Sequence, residues 1–169
     1  MITQQEEGKI QILSDTVLYP QAVEFMHGIA RKLPTTQING LLNVSMANTY
    51  EQLKGFVDHQ YNRTTWKANE RHIPEFYRRL TLKFKDLDNY ALSILALRTE
   101  KASTEDQERI KMAIAHEFIQ HLLAENDYMA ATQTFLSADG AGKLARTGNQ
   151  ERPEDGRRGS WQNRGGTRQ

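Results

Sequence analysis

Residues 74–95 read PEFYRRLTLKFKDLDNYALSIL, and their spacing decides the fold class. With Ile73 just ahead, the apolar residues Phe76, Tyr77, Leu80, Phe84, Leu87, Ala91, Ile94 and Leu95 return every three or four positions. That period gathers them on one side of a helix, whereas a half-buried strand alternates apolar and polar residues. Pro74 suits a first turn, where its missing N–H is not needed. Asp86 and Asp88 leave two readings open, one long helix or two shorter ones.

The same period extends outward in both directions. From Pro20, the residues Ala22, Phe25, Met26, Ile29, Ala30 and Leu33 outline a helix over 20–32, ended by Lys32-Leu33-Pro34. Thr35 or Thr36 is placed to cap the next helix, whose inward face reads Ile38, Leu41, Leu42, Met46, Tyr50, Leu53, Phe56 and Val57 and which fades near His59. Downstream, Ser103 and Thr104 precede Glu105, Asp106 and Gln107, a capped start with acids near the positive end of the helix dipole. Ile110, Ala113, Ile114, Phe118, Ile119, Leu122 and Leu123 follow, and Asn126 is placed to cap a last short helix over 127–136. No segment alternates in the manner of a strand. The expectation is an all-α, compact bundle of five to six helices over 14–136, behind a flexible segment 1–13.

The chain has 169 residues, a formal charge of +1 and no cysteine. Disulfides, thiolate zinc sites and cysteine nucleophiles are thereby excluded. The N-terminus lacks the apolar core of a signal peptide and no run approaches about 18 apolar residues, so a cytoplasmic protein without a membrane partner is expected. Charge divides the chain unevenly. Residues 1–136 hold 15 basic and 17 acidic groups, whereas 137–169 hold 7 basic and 4 acidic groups and seven glycines. With only Leu144 and Trp161 as large apolar residues, 137–169 is expected to be a disordered Arg/Gly-rich tail, either RNA-clinging or merely solubilising.

The sequence carries little sign of catalysis. HEFIQH at 116–121 has its histidines five positions apart, about 140° around a helix, where the zinc-protease motif needs four positions and about 40°. Gly140-Ala141-Gly142-Lys143 has no strand before it and is no phosphate loop. No catalytic residue, metal ligand or cofactor is called for, and the chain is expected not to be an enzyme.

Between Arg63 and Lys85, by contrast, lie seven cations and two acids. The cations are Arg63, Lys67, Arg71, Arg78, Arg79, Lys83 and Lys85, interleaved with Tyr61, Trp66, Phe76, Tyr77 and Phe84. On a helix over 74–85, Arg78 and Arg79 fall off the apolar stripe, with Lys83 and Lys85 on the same general flanks. Cations neutralise phosphates and exposed rings stack on unpaired bases, so these seven residues and Trp66, which sits in a polar loop, form the candidate site for single-stranded RNA. The competing reading is core aromatics beneath an ordinary solvated face. It leads to a helical protein–protein interaction adaptor without nucleic-acid binding.

Two motifs sharpen the choice. LPTTQINGLLN at 33–43, through Thr35, Thr36, Gln37, Ile38, Leu41 and Leu42, resembles the opening of the central helix in the small helical subunit of type III CRISPR effector complexes. YRRLTLKF at 77–84 is similar to the basic, aromatic helix that follows in that family. Asn39 and Gly40 depart from the basic residue often found after the Gln-Ile pair, and the Arg/Gly tail is not a usual feature of the family. The resemblance implies an antiviral ribonucleoprotein in which this subunit lines the guide- and target-RNA channel, non-catalytic, beside other subunits and copies of itself.

Overall fold

The computed structural model describes residues 2–29, 31–47, 49–98 and 102–147. It is all-α: five helical rods with no strand among the described residues. The first rod has three pieces, α1 (Gln4–Leu13), a π-helical turn (Ser14–Leu18) and α2 (Tyr19–His27). Then come α3 (Thr35–Ala47), α4 (Tyr50–Tyr61), a 3-10 turn (Ala68–Glu70), α5 (His72–Leu95) and α6 (Thr104–Thr147). Among the described residues no helix is long and apolar enough to cross a membrane.

The aromatic stripe of α5 forms the centre of the core. Phe76, Tyr77 and Leu80 are fully buried, and Tyr77 donates its hydroxyl to Gln37 Oε1 on α3 at 3.2 Å. Phe25 of α2 stands edge-on to both Phe76 (5.5 Å) and Phe118 of α6 (6.0 Å), so one ring ties three helices. Each such pair adds about 0.5–1.5 kcal/mol beyond the area it buries. α5 is a single helix: Asp86 lies on its surface paired with Lys83, and Asp88 faces Lys111 at 3.8 Å.

Several boundaries differ from the sequence expectations. The segment 1–13 is helical from Gln4, because Thr3 and Glu6 form a reciprocal capping box. Glu6 is 5% exposed and is gripped by Arg98, which also reaches Asp106 at 2.9 Å and so joins α1, the end of α5 and the start of α6. The π-helical turn spans the approach to Pro20. That ring has no N–H to give, and the Tyr19 N–H instead reaches back five residues to Ser14.

α2 stops at His27 rather than residue 32. The connection beyond it is pinned from a distance: the Leu33 N–H donates to Asn126 Oδ1 at 2.7 Å. Asn126 is therefore no cap; it is buried within α6, which runs on without a break where a separate helix over 127–136 was expected. Neither Thr35 nor Thr36 caps α3, since Thr35 is already helical and the Pro34 carbonyl accepts from Ile38. The helix expected to run to His59 is two, because Thr49 and Gln52 form a second capping box. This break inserts Tyr50 edge-on against Phe84 at 5.7 Å. It also leaves Met46, expected inward, 69% exposed, with Ser45 buried in its place.

The described residues up to 133 form one compact unit, and those from 134 to 147 belong to a second. The helical backbone continues to Thr147, eleven residues into the expected tail, while 148–169, with the Arg/Gly motifs, lie outside the described residues.

Candidate nucleic-acid interface

The cations of the window divide into two groups, where the sequence suggested one face. Arg71, Arg78 and Lys85 are all exposed and stand seven residues apart. Seven residues make nearly two helical turns, so the three form one row along the outer side of α5, about 10 Å between neighbours. Leu82, 52% exposed, lies within that row. Arg63 and Lys67 are exposed on the connection between α4 and α5, just before Arg71. Lys67, Arg71 and Lys85 make no salt bridge among the described residues.

Arg79 and Lys83, four residues apart, turn instead toward α2. They line a cleft of about 650 Å³ with Gln21, Glu24 and Phe25. Lys83 is committed there: its side chain is 16% exposed, with Nζ 2.9 Å from Asp86 and 5.8 Å over the ring of Phe118. Arg79 extends across Gly28. A methyl group at that glycine would fall 2.1 Å from Nη1, so the absent side chain makes room for the guanidinium at the end of α2. The backbone at Gly28 is ordinary, with φ −77°, and the requirement is one of space.

Glu75 sits between the groups. It accepts two hydrogen bonds from Arg78 and one from Arg79, each 2.8 Å. These bonds hold its carboxyl at about 2, against an ordinary 4.5, with burial opposing them. One carboxylate thus offsets part of two guanidinium charges. Arg78 remains the outward member, its positive form favoured by its hydrogen bonds to Glu75 and by that carboxylate's charge.

Trp66 is built into its loop. It is half-buried against the core, its indole N–H donates to the Gln60 carbonyl at 3.1 Å, and Arg63 lies 5.1 Å over its ring. Tyr61, 40% exposed at the end of α4, is the ring left to solvent beside Arg78. The sequence named it among the interleaved aromatics but gave it no role. Tyr61 continues the Tyr50/Val57 side of α4 at helical spacing, so periodicity alone reads it as core, and the polar residues on either side of it were the only hint that it lies at an exposed end.

The histidines of HEFIQH diverge as their spacing requires. His116 Nδ1 is 3.0 Å from Ser45 on α3, whereas His121 Nε2 is 2.8 Å from Ser14 on the π-helical turn. Each serine already donates its proton, Ser45 to the Leu42 carbonyl and Ser14 to Glu117, so each histidine serves as the donor. Among the described residues no group of three histidines and carboxylates is arranged to hold a metal. No family model, no curated protein and no solved structure matches the chain.

Proposed function

We propose that the chain is a non-catalytic, α-helical RNA-binding subunit of a cytoplasmic ribonucleoprotein, the small subunit along the guide- and target-RNA channel of a type III CRISPR effector complex. The observation that carries the RNA reading is the outward row Arg71, Arg78 and Lys85, prolonged by Arg63 and Lys67 and accompanied by Tyr61. Such a surface neutralises backbone phosphates and offers one ring for stacking, contacts that carry little sequence information. The CRISPR assignment rests on the motifs at 33–43 and 77–84. Arg79 and Lys83 are set apart from the row because they turn toward α2, where they line the cleft with Gln21, Glu24 and Phe25.

The test is fluorescence anisotropy of the full chain with a single-stranded RNA of about 30 nucleotides over a salt series. Five phosphate contacts correspond to a log–log slope of about 3 to 4. The adaptor reading is the second one, favoured by Leu82, Leu92 and Leu97, each more than half exposed. A protein complex that survives nuclease and high salt, with no salt-dependent RNA binding by the chain, decides for the adaptor.

A further inference from the structure

Two open clefts meet along α6 at the edge of the core, and they share Ile2 and Ala113, both packed against that core. The first, about 420 Å³, lies toward the end of α3 and is walled by Met46 and Met112. Its polar lining is already satisfied: Ser45 and His116 bond each other, and Arg109 pairs with Glu105. What it offers is apolar surface, including a methionine that is 69% exposed. The second, about 490 Å³, lies toward α1 and the π-helical turn. Glu7, Asp15 and Glu117 line it, and among the described residues lining it there is no lysine or arginine. Glu7 and Asp15 are exposed and form no salt bridge among the described residues. Glu117 accepts one hydrogen bond, from Ser14.

We propose that this double cleft docks a segment of a partner protein that carries a large apolar side chain flanked by lysine or arginine. The apolar anchor enters between Met46 and Met112, whose unbranched chains adapt to its shape. Ala113, small and placed where the clefts join, lets the segment approach α6 closely. The flanking cations meet Glu7, Asp15 and Glu117, complementarity that selects the partner and sets its direction. An acidic wall repels a phosphate backbone, so RNA is not the occupant. The inference is independent of the RNA reading, which concerns α5 and the connection before it.

The experiment pans a displayed library of random peptides, about twelve residues long, against the full chain, and then measures the enriched peptides by fluorescence anisotropy. Enriched peptides are expected to pair an aromatic, leucine or methionine with neighbouring lysines or arginines. Their affinity is expected to fall about tenfold or more in Met46→Glu and in the double variant Glu7→Lys/Asp15→Lys, and to hold in Leu82→Glu on α5. All replaced residues are exposed, and an unchanged melting curve separates lost docking from lost fold. The proposal is overturned if no peptide enriches, if the enriched peptides are acidic, or if they bind the cleft variants as tightly as the parent chain.

Discussion

Arg78 and Arg79 are adjacent in sequence and share one carboxylate, yet they have different surroundings. Arg78 faces outward beside Tyr61 in line with Arg71 and Lys85, whereas Arg79 crosses Gly28 toward α2. One residue turns a side chain about 100° around a helix, enough here to set one guanidinium in the outer row and to aim the other toward the cleft beside α2. The difference teaches that a count of cations overstates a binding surface. What matters is the direction in which the fold turns each cation, since Arg78 and Arg79 share Glu75 and only Arg78 stands in the outer row.

Arg98 is the extreme case of a committed cation, and its removal has the largest expected effect. Arg98→Ala leaves buried Glu6 without its main partner, so the melting temperature falls by several degrees while the salt slope of RNA binding is unchanged; thermal melts and anisotropy check both. The pH dependence follows from Glu6. Hydrogen bonds from Arg98, above all, lower its carboxyl from 4.5 to about 2. A lowered carboxyl stabilises the fold in full above pH 4.5 and loses that contribution as pH falls from there through about 2. Melts at pH 7 and pH 3 should show a smaller acid loss in Arg98→Ala than in the parent chain.

Tyr61→Ala is next. It should weaken RNA binding about tenfold and leave the melting curve in place, as expected for an exposed ring that stacks on a base. A smaller effect belongs to Gly28→Ala: the new methyl group displaces Arg79, costing about 0.5–1 kcal/mol in a urea titration without changing RNA affinity. Glu75→Gln is the smallest. Releasing the outward Arg78 from its counter-charge should raise RNA affinity about two- to threefold at low salt, measured by anisotropy.

The fold was legible where one helix face carries a long apolar stripe. α5 has eight buried positions at the helical period, from Ile73 to Ile94, and its reading holds throughout. α1 escaped because it buries only Ile10 and Glu6, too few to set a period. Asn126 was misread because asparagine caps helices, and nothing near it in sequence shows that its side chain serves the Leu33 backbone. The candidate site was half legible for the same reason. Periodicity placed the cations off the core stripe, but the partners that divide them lie elsewhere: Gly28 on α2 and Phe118 on α6. Trp66 looked free in its polar loop, and only the folded chain brings the Gln60 carbonyl to its indole N–H.

The most direct test sets the two groups of cations against each other. Single-stranded RNA of about 30 nucleotides is titrated, across a salt series, with the full chain, with Arg71→Glu/Arg78→Glu/Lys85→Glu and with Arg79→Gln/Lys83→Gln. The outer-row variant is expected to lose about a hundredfold in affinity and to show a shallower salt slope by about 2, with its melting temperature kept. The inner pair is expected to bind as the parent chain does. Equal losses in both variants, or none in the outer row, would contradict the division of α5 into a binding face and a structural flank.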